Sequence, residues 1–203
     1  MTVEDDPVNK TDPTGMAARI DQLMKGDFPG VLGLDDQPKT LIQRQLLGGL
    51  YLEASGHGNI VEDEAYNIGT VFLNRAYYVN KNSQANANFG NGTVFSALIK
   101  GSSAFAGQSP PYLKFFKGQD LKPNEDLESL GVLGNVINRI AWNVCVKVAN
   151  ELPGAVPTSL LAGNQLDGKS TIYFNDVDYG NRPTDPYYNA GKKVGHSWFY
   201  VHN

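Results

Sequence analysis

Apolar residues recur at helical spacing in three long stretches of this chain and thin out between them. Across 39–54, Ile42, Leu46, Leu47, Leu50, Tyr51 and Ala54 fall on one side of a 3.6-residue helix, which then breaks at "SGHG". Across 61–78, Ala65, Ile68, Phe72 and Leu73 repeat the pattern. Here Glu62, Asp63 and Glu64 bring negative charge to the first turn, the positive end of the helix dipole. The most continuous stripe spans 130–152: Val132, Leu133, Val136, Ile137, Ile140, Ala141, Val144, Cys145, Val148 and Ala149. It stops at Pro153-Gly154. Shorter helices are expected at 17–25 and 94–100, and short strands at 171–174 and 197–201.

The connections are long. Residues 80–93 are an Asn/Gly-rich loop, and 101–120, "GSSAFAGQSPPYLKFFKGQD", form a Gly/Pro/aromatic loop too apolar to be only a tether. Residues 1–16 are polar, with two Asp-Pro pairs and a Pro-Thr-Gly turn, and are expected to be an extended leader. The predicted fold class is therefore mainly α (α+β): one domain over 17–203, with long loops and a few short strands. Such loops are where sites usually lie.

Composition narrows the class. The 203 residues, 41% hydrophobic and 19% charged, suit a globular domain with a real core. A net charge of −4 without a Lys/Arg cluster argues against a nucleic-acid surface. The sequence has no apolar run approaching the roughly 18 residues of a membrane span, so no membrane insertion is expected. Cys145 is the single cysteine, which excludes an internal disulfide, and its place on the apolar stripe predicts a buried structural thiol. His57, His196 and His202 lack metal-ligand spacing, so neither a zinc site nor another cofactor is expected.

One residue disturbs the first stripe. Glu53 projects about 20° from Leu46 and so falls within the apolar arc. A charge buried without a partner is costly, and a carboxyl at a core edge is biased towards its neutral form, as a general acid requires. The alternative is a partly solvated glutamate at a frayed helix end; spacing alone does not separate the two.

The stretch "LLGGLYLEASGHG…EAYNIGTVFLNRA" resembles the opening of the SleB-type cell-wall hydrolase family, known from spore-cortex-lytic enzymes. Those proteins begin with an Ile-Tyr-Ala-Glu-Ala-Arg-Gly-like helix and continue into one ending Val-Val-Leu-Asn-Arg. Tyr51, Glu53, Ala54, Gly56, Val71, Leu73, Asn74 and Arg75 stand at matching places. Further on, "AFAGQ" (104–108), "STIYFND" (170–176) and "VGHSWFYV" (194–201) resemble later motifs of the family. The resemblance implies a lysozyme-like, lytic-transglycosylase-type helical fold acting on peptidoglycan glycan strands. It implies Glu53 as catalytic acid/base, supported by Tyr173. One carboxyl group suffices if the muramyl 6-hydroxyl closes a 1,6-anhydro ring, whereas ordinary glycoside hydrolysis uses two.

Other assignments follow from the same resemblance. Glu62, Asp63 or Glu64 would be the second carboxylate of a hydrolytic muramidase. Asn175, His57, His196, Ser197 and Phe105 are candidate sugar-binding residues, with Tyr112 and Trp198 as further aromatics, although core packing is the more usual use of each aromatic. Asn74 and Arg75 are expected to brace the helix pair. "YYNAG" (187–191) offers a rival Tyr-Asn pair resembling a motif of soluble lytic transglycosylases. The chain departs from the family at His57, where an acidic residue is usual, and at Ser197, where a histidine is usual. These departures keep open a catalytically dead peptidoglycan- or protein-binding module.

The leader string "DPVNKTDPTGM" (6–16) resembles the end of the conserved core of Rhs (rearrangement hotspot) proteins, where a similar motif precedes a variable C-terminal toxin. That resemblance implies a junction at 1–16 with Met1 as an added start residue, an Rhs core cage before release, and delivery by a type VI secretion system. It further implies action in the periplasm of a target bacterium and a cognate immunity protein.

Overall fold

The structure, a computed structural model, describes residues 38, 40–55, 61–82, 89–107, 136–175 and 188–202. The expected leader, the 17–25 helix and most of the 101–120 loop lie outside the described residues.

Helix α1 spans Leu41–Ser55. Thr40 starts it: its hydroxyl accepts the Gln43 backbone N–H at 3.2 Å and donates to the Gln43 side chain at 2.9 Å. Gln43 then donates through Nε2 to the carbonyls of Asn150 (3.3 Å) and Leu152 (2.8 Å). These carbonyls lie at the end of helix α5, Val136–Glu151, where the last acceptors have no partner within the helix itself. At the other end of the pair, Tyr51 meets Trp142 edge to face, with ring centroids 5.4 Å apart. The start of α1 thus lies at the end of α5 and the reverse, so the two helices pack antiparallel. Leu46, Leu47, Leu50 and Tyr51 join Ala141, Val144, Cys145, Val148 and Ala149 in one core, as their spacing predicts, and Trp142 is buried with them.

Helix α2, Glu62–Lys81, runs through the middle of that core. Its N-cap Val61 offers no side-chain acceptor, and the acidic first turn meets the dipole instead. Beyond the expected inward residues, Asn67, Thr70, Asn74 and Arg75 are buried too, so the helix is enclosed on most of its circumference. Gly69 permits this, because a side chain there would overlap Leu152.

Helix α3, Val94–Gly101, is capped by the Thr93 hydroxyl, which accepts Ser96 N–H at 3.2 Å. A single helical turn, α4 (Ser103–Ala106), follows within the expected loop.

Strands β1 (Thr171–Asn175), β2 (Tyr188–Val194) and β3 (Ser197–His202) form an antiparallel sheet in the order β1-β3-β2. The architecture is therefore helical with one small sheet, an α+β arrangement. Strand β2 was not expected from the sequence, although Gly195-His196 between Val194 and Ser197 is a two-residue hairpin signal. Gly195 has φ +63°, and His196 is not left-handed, the sign pattern of a type II′ turn. One sheet face puts Phe174 and Phe199 in the core, stacked 5.9 Å apart. The other face carries Tyr173, paired in register with Tyr200, which in turn pairs with Gly191.

Asn74 and Arg75, expected to brace the helix pair, hold α2 to the sheet and its approach segment. Asn74 bonds the Leu161 N–H (2.7 Å) and the carbonyls of Leu161 and Thr171 (both 3.0 Å). Arg75 Nε donates to Ile172 O at 2.8 Å, while its guanidinium lies over the rings of Phe72, Phe89 and Phe174.

Candidate functional site

Glu53 lies in the last turn of α1 and is half-buried, while Leu46, Leu47, Leu50 and Tyr51 of the same helix are sunk in the core. Intermediate burial fits both expectations for Glu53, an acid at the edge of the core and a partly solvated glutamate at a helix end. The neighbouring Tyr51 phenol is pushed up from 10.0 to about 12, first by burial and second by Cys145 beside it. Burial alone pushes the Cys145 thiol up. Cys145 is thus the buried structural cysteine expected, with its reactivity suppressed. His57 lies outside the described residues.

The three acidic residues that open α2 point to three different partners. Glu62 accepts from Lys147 Nζ at 2.6 Å, on the rim between α2 and α5. Asp63 accepts from Asn164 Nδ2 at 3.1 Å and from Gln165 Nε2. Glu64 turns inward and is only 6% exposed. Its Oε1 accepts the Ser197 hydroxyl at 2.7 Å, and its Oε2 lies 3.4 Å from His196 Nδ1. Gly195 completes the enclosure, since a Cβ there would overlap the Glu64 carboxylate. The β2–β3 turn is thus wrapped around the carboxylate at the start of α2.

This grouping joins Glu64, suggested as a second carboxylate, to His196 and Ser197, suggested as sugar-binding residues. Ser197 is corrected by it: the residue is 2% exposed and its hydroxyl is committed to Glu64, so it offers nothing to a sugar. His196 keeps 42% of its side chain exposed while lying beside Glu64. The order of the three groups is not that of a nucleophilic triad. There an imidazole bridges hydroxyl and carboxylate, whereas here the carboxylate lies between the other two.

Phe105 also requires correction. It is fully buried in the core, its ring 5.8 Å from that of Phe95, and so presents no face for stacking on a sugar. Tyr112 and Tyr187 lie outside the described residues. Tyr173 is half-buried on β1, an edge strand, with its ring centroid 5.6 Å from that of Tyr200. Thr171 fixes the local backbone, donating its hydroxyl to the carbonyls of Tyr173 (2.8 Å) and Tyr200. Asn175 pairs with Trp198 in the register, two residues along β1 from the Tyr173–Tyr200 pair. The side chain of Asn175 lies outside the described residues.

No group of three or more His, Cys, Asp or Glu residues that could hold a metal ion occurs among the described residues. No described helix is long and apolar enough to cross a membrane. No protein-family model, curated protein or solved structure matches the chain.

Proposed function

We propose that the chain is an antibacterial effector that cleaves peptidoglycan glycan strands between N-acetylmuramic acid and N-acetylglucosamine, on a lysozyme-like fold. The observation that carries the reading is the half-buried Glu53 closing a helix whose other inward residues are core. In this scheme protonated Glu53 delivers its proton to the glycosidic oxygen as the bond from the muramyl C1 to that oxygen breaks. The resulting carboxylate takes the proton of the muramyl 6-hydroxyl, whose oxygen bonds to C1. The product is a 1,6-anhydro ring, water is not consumed, and Glu53 ends protonated as it began. The supporting role of Tyr173, on β1, is taken from the family resemblance.

The partners of the α2 acids favour this lytic-transglycosylase course over hydrolysis. Glu62, Asp63 and Glu64 each engage protein groups of their own, whereas a muramidase needs a second carboxylate beside a water. The leader's likeness to an Rhs junction supports a released toxin delivered by a type VI system into a target periplasm, with an immunity protein in the producer.

Mass spectrometry of fragments released from purified sacculi tests the reaction. Anhydro-muropeptides are expected; reducing muramic-acid ends would replace the transglycosylase by the muramidase. Binding to sacculi without release would leave a peptidoglycan-binding module.

A further inference from the structure

We propose that Glu64 is a positioning residue: it grips the tip of the β2–β3 hairpin and thereby sets the sheet face on which Tyr173 rests. The inference rests on the reading of Tyr173 as the supporting group for Glu53.

A carboxylate withdrawn from water needs donors: the Ser197 hydroxyl donates to one Glu64 oxygen, and the His196 ring lies 3.4 Å from the other. The grip is built into the turn. Gly195 is glycine for its left-handed backbone and again for the space that the carboxylate fills. From Ser197 the strand runs to Tyr200, about 10 Å on at roughly 3.3 Å per residue. There Tyr200 pairs with Tyr173, the two rings lie 5.6 Å apart, and the Thr171 hydroxyl ties the strands together at the irregularity in their register. Phe199 is sunk in the core between the two points. Releasing the tip is expected to shift β3 at Tyr200 and, with it, the Tyr173 ring that lies against it. A reacting geometry tolerates little of this, since a misplacement of about 1 Å can cost about a hundredfold in rate. Glu64 therefore acts through Tyr173 and not as a second acid.

The test combines turnover of purified sacculi with aromatic NMR of the tyrosine-labelled full chain. Glu64→Ala is expected to lower kcat about tenfold with half-saturating sacculus concentration unchanged, while Glu64→Gln, which can still accept from Ser197, restores most of the rate. In a Tyr173→Phe background, Glu64→Ala should cause little further loss, because both changes remove the same contribution. The Tyr173 and Tyr200 ring signals should shift in Glu64→Ala while that of Tyr51 stays, reporting an intact helical core. If Glu64→Ala does not fold, Ser197→Ala releases one oxygen of the grip and should shift the same two signals. Independent losses that multiply in the double variant would overturn the proposal, as would a Glu64→Gln enzyme as inactive as Glu53→Gln. Unshifted Tyr173 and Tyr200 signals would overturn it as well. Should wild type release no fragments, the glycan-cleavage reading falls, while the ring signals still decide whether Glu64 sets Tyr173.

Discussion

Glu53 closes α1 and Glu64 opens α2, yet the two carboxylates meet opposite surroundings. Glu64 sits where its helix dipole welcomes negative charge, enclosed by the Ser197 hydroxyl, the His196 ring and a glycine that makes room for it. Glu53 sits at the other kind of helix end, where negative charge meets the negative pole, and it is half-buried instead of sealed. The more buried of the two is committed to holding a turn, and the one at the core's border suits an acid that must reach a substrate.

Substitution by alanine is the strongest way to sharpen this contrast. Glu64→Ala leaves the Ser197 hydroxyl buried without its acceptor and should cost about 1–3 kcal/mol in chemical denaturation. Glu53→Ala should cost no more than about 1 kcal/mol, since water can replace its contacts. Equal costs would erase the difference between the two ends.

A smaller effect is expected just before Glu53. Tyr51 has its folded pKa raised from 10.0 to about 12, so its stabilising contribution is fully present below pH 10 and is lost as the pH rises towards 12. The melting temperature should fall across that window, and Tyr51→Phe should make the fall shallower. An unchanged slope would mean that the phenol is not buried as described.

The smallest effect belongs to the first acid of the α2 turn. Glu62 and Lys147 keep side-chain exposures of 38% and 52%, so Lys147→Met should change stability by less than about 1 kcal/mol, and less still at high salt. A larger loss would show that the rim of α2 carries load ascribed here to Glu64.

The helical part of the fold is legible in the sequence because α1, α2 and α5 each bury a stripe of apolar residues with the expected period. The buried polar residues of α2 are not legible that way. Asn74 and Arg75 satisfy carbonyls at Leu161, Thr171 and Ile172, partners far along the chain that no local pattern specifies. Strand β2 escapes notice because "YNAGKKV" has no apolar alternation; it owes its place to pairing with β3. Glu53 stands out through its angle in the stripe alone. Glu64 does not, since an acid in a first helical turn is commonplace; its role appears only when the Gly195-His196 turn folds over it.

The central claim is that Glu53, and not Glu64, does the chemistry, and sacculus digestion by wild type, Glu53→Gln and Glu64→Gln tests it most directly. The account predicts anhydro-muropeptides from wild type, a loss of about a thousandfold in Glu53→Gln with an unchanged melting temperature, and the same products at near-normal rate from Glu64→Gln. Release of fragments by Glu53→Gln at the wild-type rate would contradict it.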